Sequence, residues 1–201
     1  MESSIEKRIV KLITKQRTPL KSFEDIISGF ETKFNDLNLS AMSFQIDRYF
    51  SKGMGQVTAT NELLNDGRIK EDWLREYETK QGNTKTDFKG LYVFLNGDTP
   101  FYVGISKGVI GRIIQHVKGH NHNTSTLAYK IGLLRYKLVE GEDFVGGRKD
   151  LDFKSEVEPV KEFLSKQKVA WIQIDNDEEM FLFEVYCSMK LGTVLNDFET
   201  H

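Results

Sequence analysis

Between residues 90 and 105 the apolar positions fall in two short blocks, Leu91-Tyr92-Val93-Phe94-Leu95 and Phe101-Tyr102-Val103-Gly104-Ile105, rich in β-branched and aromatic side chains. Asn96-Gly97-Asp98 separates them. An Asn-Gly pair tolerates positive φ at little cost, so the spacing predicts a β-hairpin. The period then changes. Val109, Ile110, Ile113, Ile114 and Val117 recur at helical spacing and predict a helix over 108–118. Arg112 and His116 are one turn apart on it and share a face. Further on, 168–174 (KVAWIQI) is apolar on both faces, as a strand covered from two sides requires. Asp175-Asn176-Asp177 supplies a turn and N-cap. A helix follows over 178–191, with Gly192 as its stop.

The remaining pattern is less sharply edged. Residues 118–123 form a polar loop, in which His120 and His122 lack a nearby Cys or carboxylate and read as solvated side chains rather than a zinc site. Thr124 or Ser125 can cap a helix carrying Leu127, Tyr129, Ile131, Leu134 and Leu138. Residues 140–152 are rich in Gly and charge and read as an exposed loop, and 154–167 as a helix with Pro159 near its first turn. Residues 1–86 read as all-helical. Ser3 or Ser4 caps a helix with Ile5, Ile9, Leu12 and Ile13 on one face, and Pro19 breaks it. Ser22 precedes a second helix with Phe23, Ile26, Ile27, Phe30 and Phe34. Leu39, Met42, Phe44, Ile46 and Phe50 suggest a third. Residues 60–80 suggest a fourth, with Leu63, Leu64, Ile69, Trp73 and Tyr77 as core candidates. The polar stretch 80–87 (KQGNTKTD) marks the expected boundary. The expectation is thus an α+β chain: a helical region over 1–86, and over 87–201 a small three-stranded antiparallel sheet flanked by helices.

Composition narrows the functional classes. A hydrophobic fraction of 39% with 14 Phe supports a packed core, and three Pro with no low-complexity tract fit a compact fold. The net charge of -2 provides no global basic field, so any nucleic-acid contact must come from a local patch or a bound metal. Lys7, Arg8, Lys11 and Lys15 form one basic stripe at helical spacing, which is also what a solvated helix face looks like. With one Cys, Cys187, an internal disulfide and a cysteine-rich zinc site are excluded. Neither a signal-peptide core nor a membrane-spanning run is visible, so a cytoplasmic location without membrane association is expected.

The hairpin and helix together resemble the signature of the GIY-YIG nuclease superfamily. Gly90-Leu91-Tyr92 stands where that family has Gly-Ile-Tyr, and Tyr102-Val103-Gly104 where it has Tyr-Ile-Gly. Arg112 matches the family's Arg on the following helix. Glu184, on the helix after the third strand, matches its metal-binding Glu. His116, one turn after Arg112, and Asn196, shortly after the Glu184 helix, bring the resemblance closest to the restriction-endonuclease branch. One departure is Ile105, where many repair-type members have Lys; Lys107 lies nearby. The resemblance covers about residues 88–201 and is silent on the N-terminal region. Read without it, each tyrosine is an ordinary strand residue. Glu184 is then a carboxylate on an apolar helix face in need of a partner, whether a metal or a buried Arg.

The resemblance implies a DNA endonuclease dependent on Mg²⁺, with Mn²⁺ able to substitute, of restriction or mobile-element type. The alternatives are a structure-selective repair or recombination nuclease and a catalytically silent DNA-binding module. The metal would sit on Glu184, sharing its shell with water and phosphate. Arg112 would present a planar donor fork to the phosphate. Tyr92 would handle the attacking water with His116 as proton acceptor, Tyr102 would hydrogen-bond phosphate or water, and Asn196 would position a side chain or contact phosphate. The partner is double-stranded DNA, cut by a homodimer or by sequential nicking.

Overall fold

The computed structural model describes residues 4–13, 21–51, 53–78, 82, 84–120 and 126–196. In chain order the elements are α1 (Ser4–Ile13), α2 (Phe23–Ser28), α3 (Phe30–Leu37), α4 (Leu39–Met42), β1 (Phe44–Gln45), α5 (Ile46–Phe50), α6 (Gln56–Asn65), β2 (Arg75–Glu78) and β3 (Thr84–Asp87). There follow β4 (Gly90–Asn96), β5 (Thr99–Ser106), α7 (Val109–Lys118), α8 (Thr126–Glu140), α9 (Glu158–Ser165), β6 (Lys168–Gln173) and α10 (Asp177–Leu191). A 3-10 turn, Glu71–Trp73, precedes β2, and a π turn, Phe153–Val157, leads into α9. The chain is α+β. No helix among the described residues is long and apolar enough to cross a membrane.

The sheet is antiparallel in the order β1-β6-β4-β5, so β4 is internal and β5 is an edge. Alternation assigns its two faces. Leu91, Val93 and Leu95 with Val103 and Ala170 pack with Ile26, Phe30, Leu37, Met180 and Phe183 from α2, α3 and α10. Tyr92 and Phe94 with Val169 and Trp171 pack on the other side with Ile46, Tyr49, Leu63, Ile110, Ile113 and Leu164. Gly90 is required where β4 and β6 meet, because a Cβ there would lie 2.1 Å from the Ile172 carbonyl oxygen. In β5 the register slips at Phe101, between the Phe94–Tyr102 and Leu95–Pro100 pairs, a bulge beside the site described below.

Three expectations need correction. The sheet has four strands, not three, because Phe44–Gln45 pairs with Val169 and Lys168 along β6. The spacing of Leu39, Met42, Phe44 and Ile46 suits a helix, but the chain extends at Ser43 and splits that segment into α4, β1 and α5. The region over 1–86 is therefore not all-helical, and it holds a second sheet as well. Arg75–Glu78 and Thr84–Asp87 pair as a two-stranded hairpin where a helix end and a linker were expected. Both apolar clusters mix side chains from either side of residue 86. Lys15, Pro19, Ser3, His122, Thr124, Ser125 and His201 lie outside the described residues, and with them the expectations placed there.

Candidate active site

The two tyrosines of the signature face the same way for a geometric reason. Tyr92 pairs with Gly104 and Phe94 with Tyr102, so Tyr92 and Tyr102 are diagonal neighbours on one face of the β4–β5 hairpin. Their ring centroids are 6.2 Å apart. Gly104 leaves room for this arrangement, since a Cβ there would sit 2.4 Å from the Tyr92 ring and hydroxyl. The glycine of the second triplet thus accommodates the tyrosine of the first.

Tyr92 is only 1% exposed, and its hydroxyl lies 2.8 Å from His116 Nε2. His116 projects from the last turn of α7, fully buried, with its ring edge-on to Phe94. Burial, reinforced by the charges of Arg112 and Lys161, holds its pKa well below the ordinary histidine value, so the imidazole is neutral. Burial likewise raises the Tyr92 phenol well above 10, with Tyr102 adding to the rise and Arg112 opposing it. The resting pair is therefore a neutral phenol against a neutral imidazole.

Tyr102 is half-buried on the edge strand and more open than Tyr92. Burial raises its pKa first, the Glu184 charge raises it further, and Arg112 together with a hydrogen bond shared with Tyr92 pulls it down. One phenol therefore feels a carboxylate, a guanidinium and the buried Tyr92–His116 pair at once. Arg112 lies on α7, and its Nη1 donates to Gln115 Oε1 at 3.1 Å.

Glu184 comes from α10, which packs along β5. Burial raises its carboxyl to about 7. The buried-Arg alternative is not found, for this carboxylate makes no hydrogen bond or ion pair among the described residues. A half-buried carboxylate so placed fits a hard divalent cation. Among the described residues no group of three or more His, Cys, Asp or Glu gathers, so water and phosphate oxygens would complete the shell of an ion held at Glu184.

Asn196 has a different place from the other five. Its Oδ1 accepts from the Val103 backbone N–H at 2.8 Å and from Thr193 Oγ1 at 2.9 Å, while Nδ2 donates to the Val103 carbonyl at 2.7 Å. The side-chain amide thus pairs with β5 as a neighbouring strand would, between Tyr102 and Gly104. The Leu195 N–H donates to the carbonyl of the bulged Phe101 at 3.3 Å. These bonds make Asn196 a positioning residue for β5.

Two supporting residues had no sequence signal. Asp87, 1% exposed, holds the start of α7: Oδ1 accepts from the N–H groups of Phe88 and Ile110, and Oδ2 from the N–H of Gly111 and from Gln56 Nε2, at 2.8–3.0 Å. It lies on β3, far up the chain from Gly108, so local capping patterns do not reveal it. Lys161, on α9, donates to the Gly119 carbonyl at the far end of α7, and burial lowers its pKa to about 8. Its spacing on α9 resembles that of any solvated lysine. Comparison with family models, curated proteins and solved structures finds no match to the chain.

Proposed function

We infer that the protein is a divalent-metal-dependent DNA endonuclease of GIY-YIG type, in keeping with a restriction or mobile-element role. The observation that carries this reading is the gathering of Tyr92 and Tyr102 on one face of the hairpin, ring centroids 6.2 Å apart, with the Tyr92 hydroxyl 2.8 Å from His116, and with Arg112 and Glu184 near enough that, after burial, their charges act on the Tyr102 phenol. A group that must take a proton from water beside a phosphate needs such neighbours: a site for a cation, a site for the phosphate, and a route for the proton.

Each side chain then has a task. Mg²⁺ held by Glu184 would supply positive charge that offsets the carboxylate and polarises phosphate and water. Arg112 grips the non-bridging oxygens and stabilises the charge added as the phosphorus becomes five-coordinate. Burial favours Tyr102 over Tyr92 as the group that meets the attacking water, since Tyr92 is closed off beneath it. As the water oxygen bonds to phosphorus, its proton passes to the Tyr102 oxygen. The Tyr102 proton moves to Tyr92, and the Tyr92 proton to His116 Nε2. The bond to the leaving oxygen breaks, and that oxygen takes a proton from solvent. His116 must be neutral to accept, and the Arg112 and Lys161 charges keep it so. Phosphate bound on Arg112 offsets part of that repulsion, which makes His116 easier to protonate at the moment of reaction.

The test is cleavage of supercoiled plasmid with Mg²⁺. Wild type nicks or linearises it, whereas Glu184→Ala and Arg112→Ala, folded by circular dichroism, lose about 100-fold or more. Tyr102→Phe loses as much, while Tyr92→Phe retains the larger residual rate because it breaks the relay one step from the water. Wild type inert on plasmid, branched DNA and RNA with Mg²⁺ and Mn²⁺ would sink the proposal. Discrete fragments from genomic DNA mark a restriction activity, and cutting confined to branched DNA marks a repair role.

A further inference from the structure

A cleft of about 700 Å³ opens beside Arg112, between the β2–β3 hairpin and the first turns of α7. Five cations line it: Arg75 and Lys85 from the hairpin, Lys89 and Lys107 from the segments flanking the β4–β5 hairpin, and Arg112. The two carboxylates among its lining residues are Asp87 and Asp175, in a chain whose overall charge is -2. Asp87 is buried and committed to the α7 backbone, which it already caps, so an incoming anion has to meet side chains rather than the helix terminus. Asp177 partly offsets two of the cations, at 2.8 Å from Lys89 and 3.9 Å from Lys107. Arg75 and Lys85 make no ion pair among the described residues. Arg75 instead donates to the backbone carbonyls of Asp72 and Leu74, which fixes the guanidinium at the cleft. Tyr77, 39% exposed, pairs across the hairpin with Lys85 and lies two residues along β2 from Arg75, with its hydroxyl toward Gly108 and its ring on the cleft wall.

We propose that this cleft is the track for the DNA strand flanking the scissile phosphate, with Arg75, Lys85 and Lys107 on successive backbone phosphates and Tyr77 as a platform for an adjacent base. The proposal rests on the nuclease reading, and it names the route by which the substrate reaches Arg112. Cations spaced along a groove around an exposed aromatic ring form the arrangement that binds a sugar-phosphate backbone without reading its sequence. It also supplies the local basic patch that a chain of negative net charge needs in order to hold DNA. The rival surface is the exposed stripe Lys7, Arg8 and Lys11 on α1.

The experiment measures binding with uncut DNA, so that it does not depend on cleavage. Full-length Glu184→Ala protein is titrated against a short fluorescein-labelled duplex by anisotropy, from low to physiological salt. Arg75→Ala/Lys85→Ala/Lys107→Ala weakens binding about tenfold or more at physiological salt and makes the slope of log K against log salt shallower by about 2 to 3. Lys85→Ala/Lys107→Ala, which leaves the Arg75 bonds untouched, carries the test if the triple variant unfolds. Tyr77→Ala costs about tenfold on a single-stranded probe, and Tyr77→Phe restores it. Lys7→Ala/Arg8→Ala/Lys11→Ala leaves affinity and slope unchanged. A folded cleft variant with wild-type affinity and slope overturns the proposal, as does loss of binding in the α1 variant instead, or no binding to duplex at low salt. Cleavage by wild type with cleft-independent binding overturns the track alone. Cleft-dependent binding without cleavage under any condition overturns the nuclease reading alone.

Discussion

At the scale of single residues, Glu184 is the side chain whose surroundings work against its own charge. Burial raises its carboxyl from 4.5 to about 7. Below pH 4.5 it is protonated in both folded and unfolded chains and contributes nothing to the pH dependence. Between 4.5 and about 7 the unfolded chain ionises first, so folding loses stability, and above about 7 that loss is complete. Glu184→Gln should therefore melt higher than metal-free wild type above pH 7, and the gap should close as pH falls toward 4.5. Mg²⁺ should raise the melting temperature of wild type at alkaline pH and leave Glu184→Gln unmoved, because only the carboxylate gains from the ion. Equal melting of the two proteins across that range, with equal response to Mg²⁺, would show that Glu184 is neither strained nor a cation site. The sequence already marked Glu184 as a carboxylate among apolar neighbours, and it placed Tyr92 and Tyr102 on the two strands of one hairpin. It could not distinguish the tyrosines by depth. That difference arises because β4 is internal and β5 is an edge, a matter of strand order that no local pattern records. The bonds of Asn196 to Val103 were hidden for the same reason, since they depend on how the chain after α10 returns to that edge.

At the scale of elements, α7 carries both Arg112 and His116 and is held at each end by residues from elsewhere: Asp87 from β3 and Lys161 from α9. Asp87→Ala strands buried backbone N–H groups of Phe88, Ile110 and Gly111 at once. It should destabilise the protein by about 2 kcal/mol or more, read by chemical denaturation. Asp87→Asn should fall between the two, because one oxygen can still accept from Phe88 and Ile110 while the amide nitrogen meets the Gly111 N–H donor to donor. Cleavage should drop with both variants as α7 loosens and moves Arg112. An unchanged denaturation midpoint for Asp87→Ala would show that the helix start needs no such cap. The helix itself was legible from Val109, Ile110, Ile113 and Val117, and β4, β5 and β6 from their β-branched and aromatic runs. Strand β2 was not, because Arg-Glu-Tyr-Glu is exposed throughout and carries no apolar alternation. Strand β1 was not, because two residues are too few to show a period and their neighbours repeat at helical spacing.

At the scale of the whole molecule, the N-terminal region does more than precede the sheet. It covers both faces and extends one side of it. Ile26, Phe30 and Leu37 bury against Leu91, Val93 and Phe183, while Ile46, Tyr49 and Leu63 join the cluster beneath Tyr92 and Phe94. Phe44 lies edge-on to Trp171 at 4.7 Å, and the Trp171 indole donates to the Arg68 carbonyl at 2.9 Å. Each large apolar side chain buried contributes about 1.5–3 kcal/mol. Ile26, Phe30, Leu37, Phe44, Ile46, Tyr49, Phe50 and Leu63 are each 5% exposed or less, so the N-terminal region supplies eight such buried side chains. A chain of residues 87–201 alone would leave the surfaces these side chains cover open to water, and would lose the β1 pairing along β6 and the Gln56 bond to Asp87. The expected result is a fragment with no cooperative unfolding transition and strong binding of a hydrophobic dye, beside a full chain that melts in one step. A cooperatively folded 87–201 fragment that cuts DNA would instead make residues 1–86 a separable module. The difference bears on the substrate as well, because the hairpin with Arg75, Tyr77 and Lys85 belongs to the part removed. If that part belongs to the same folding unit as the site, the sheet that carries Tyr102 and the cleft proposed as the DNA track form in one cooperative step.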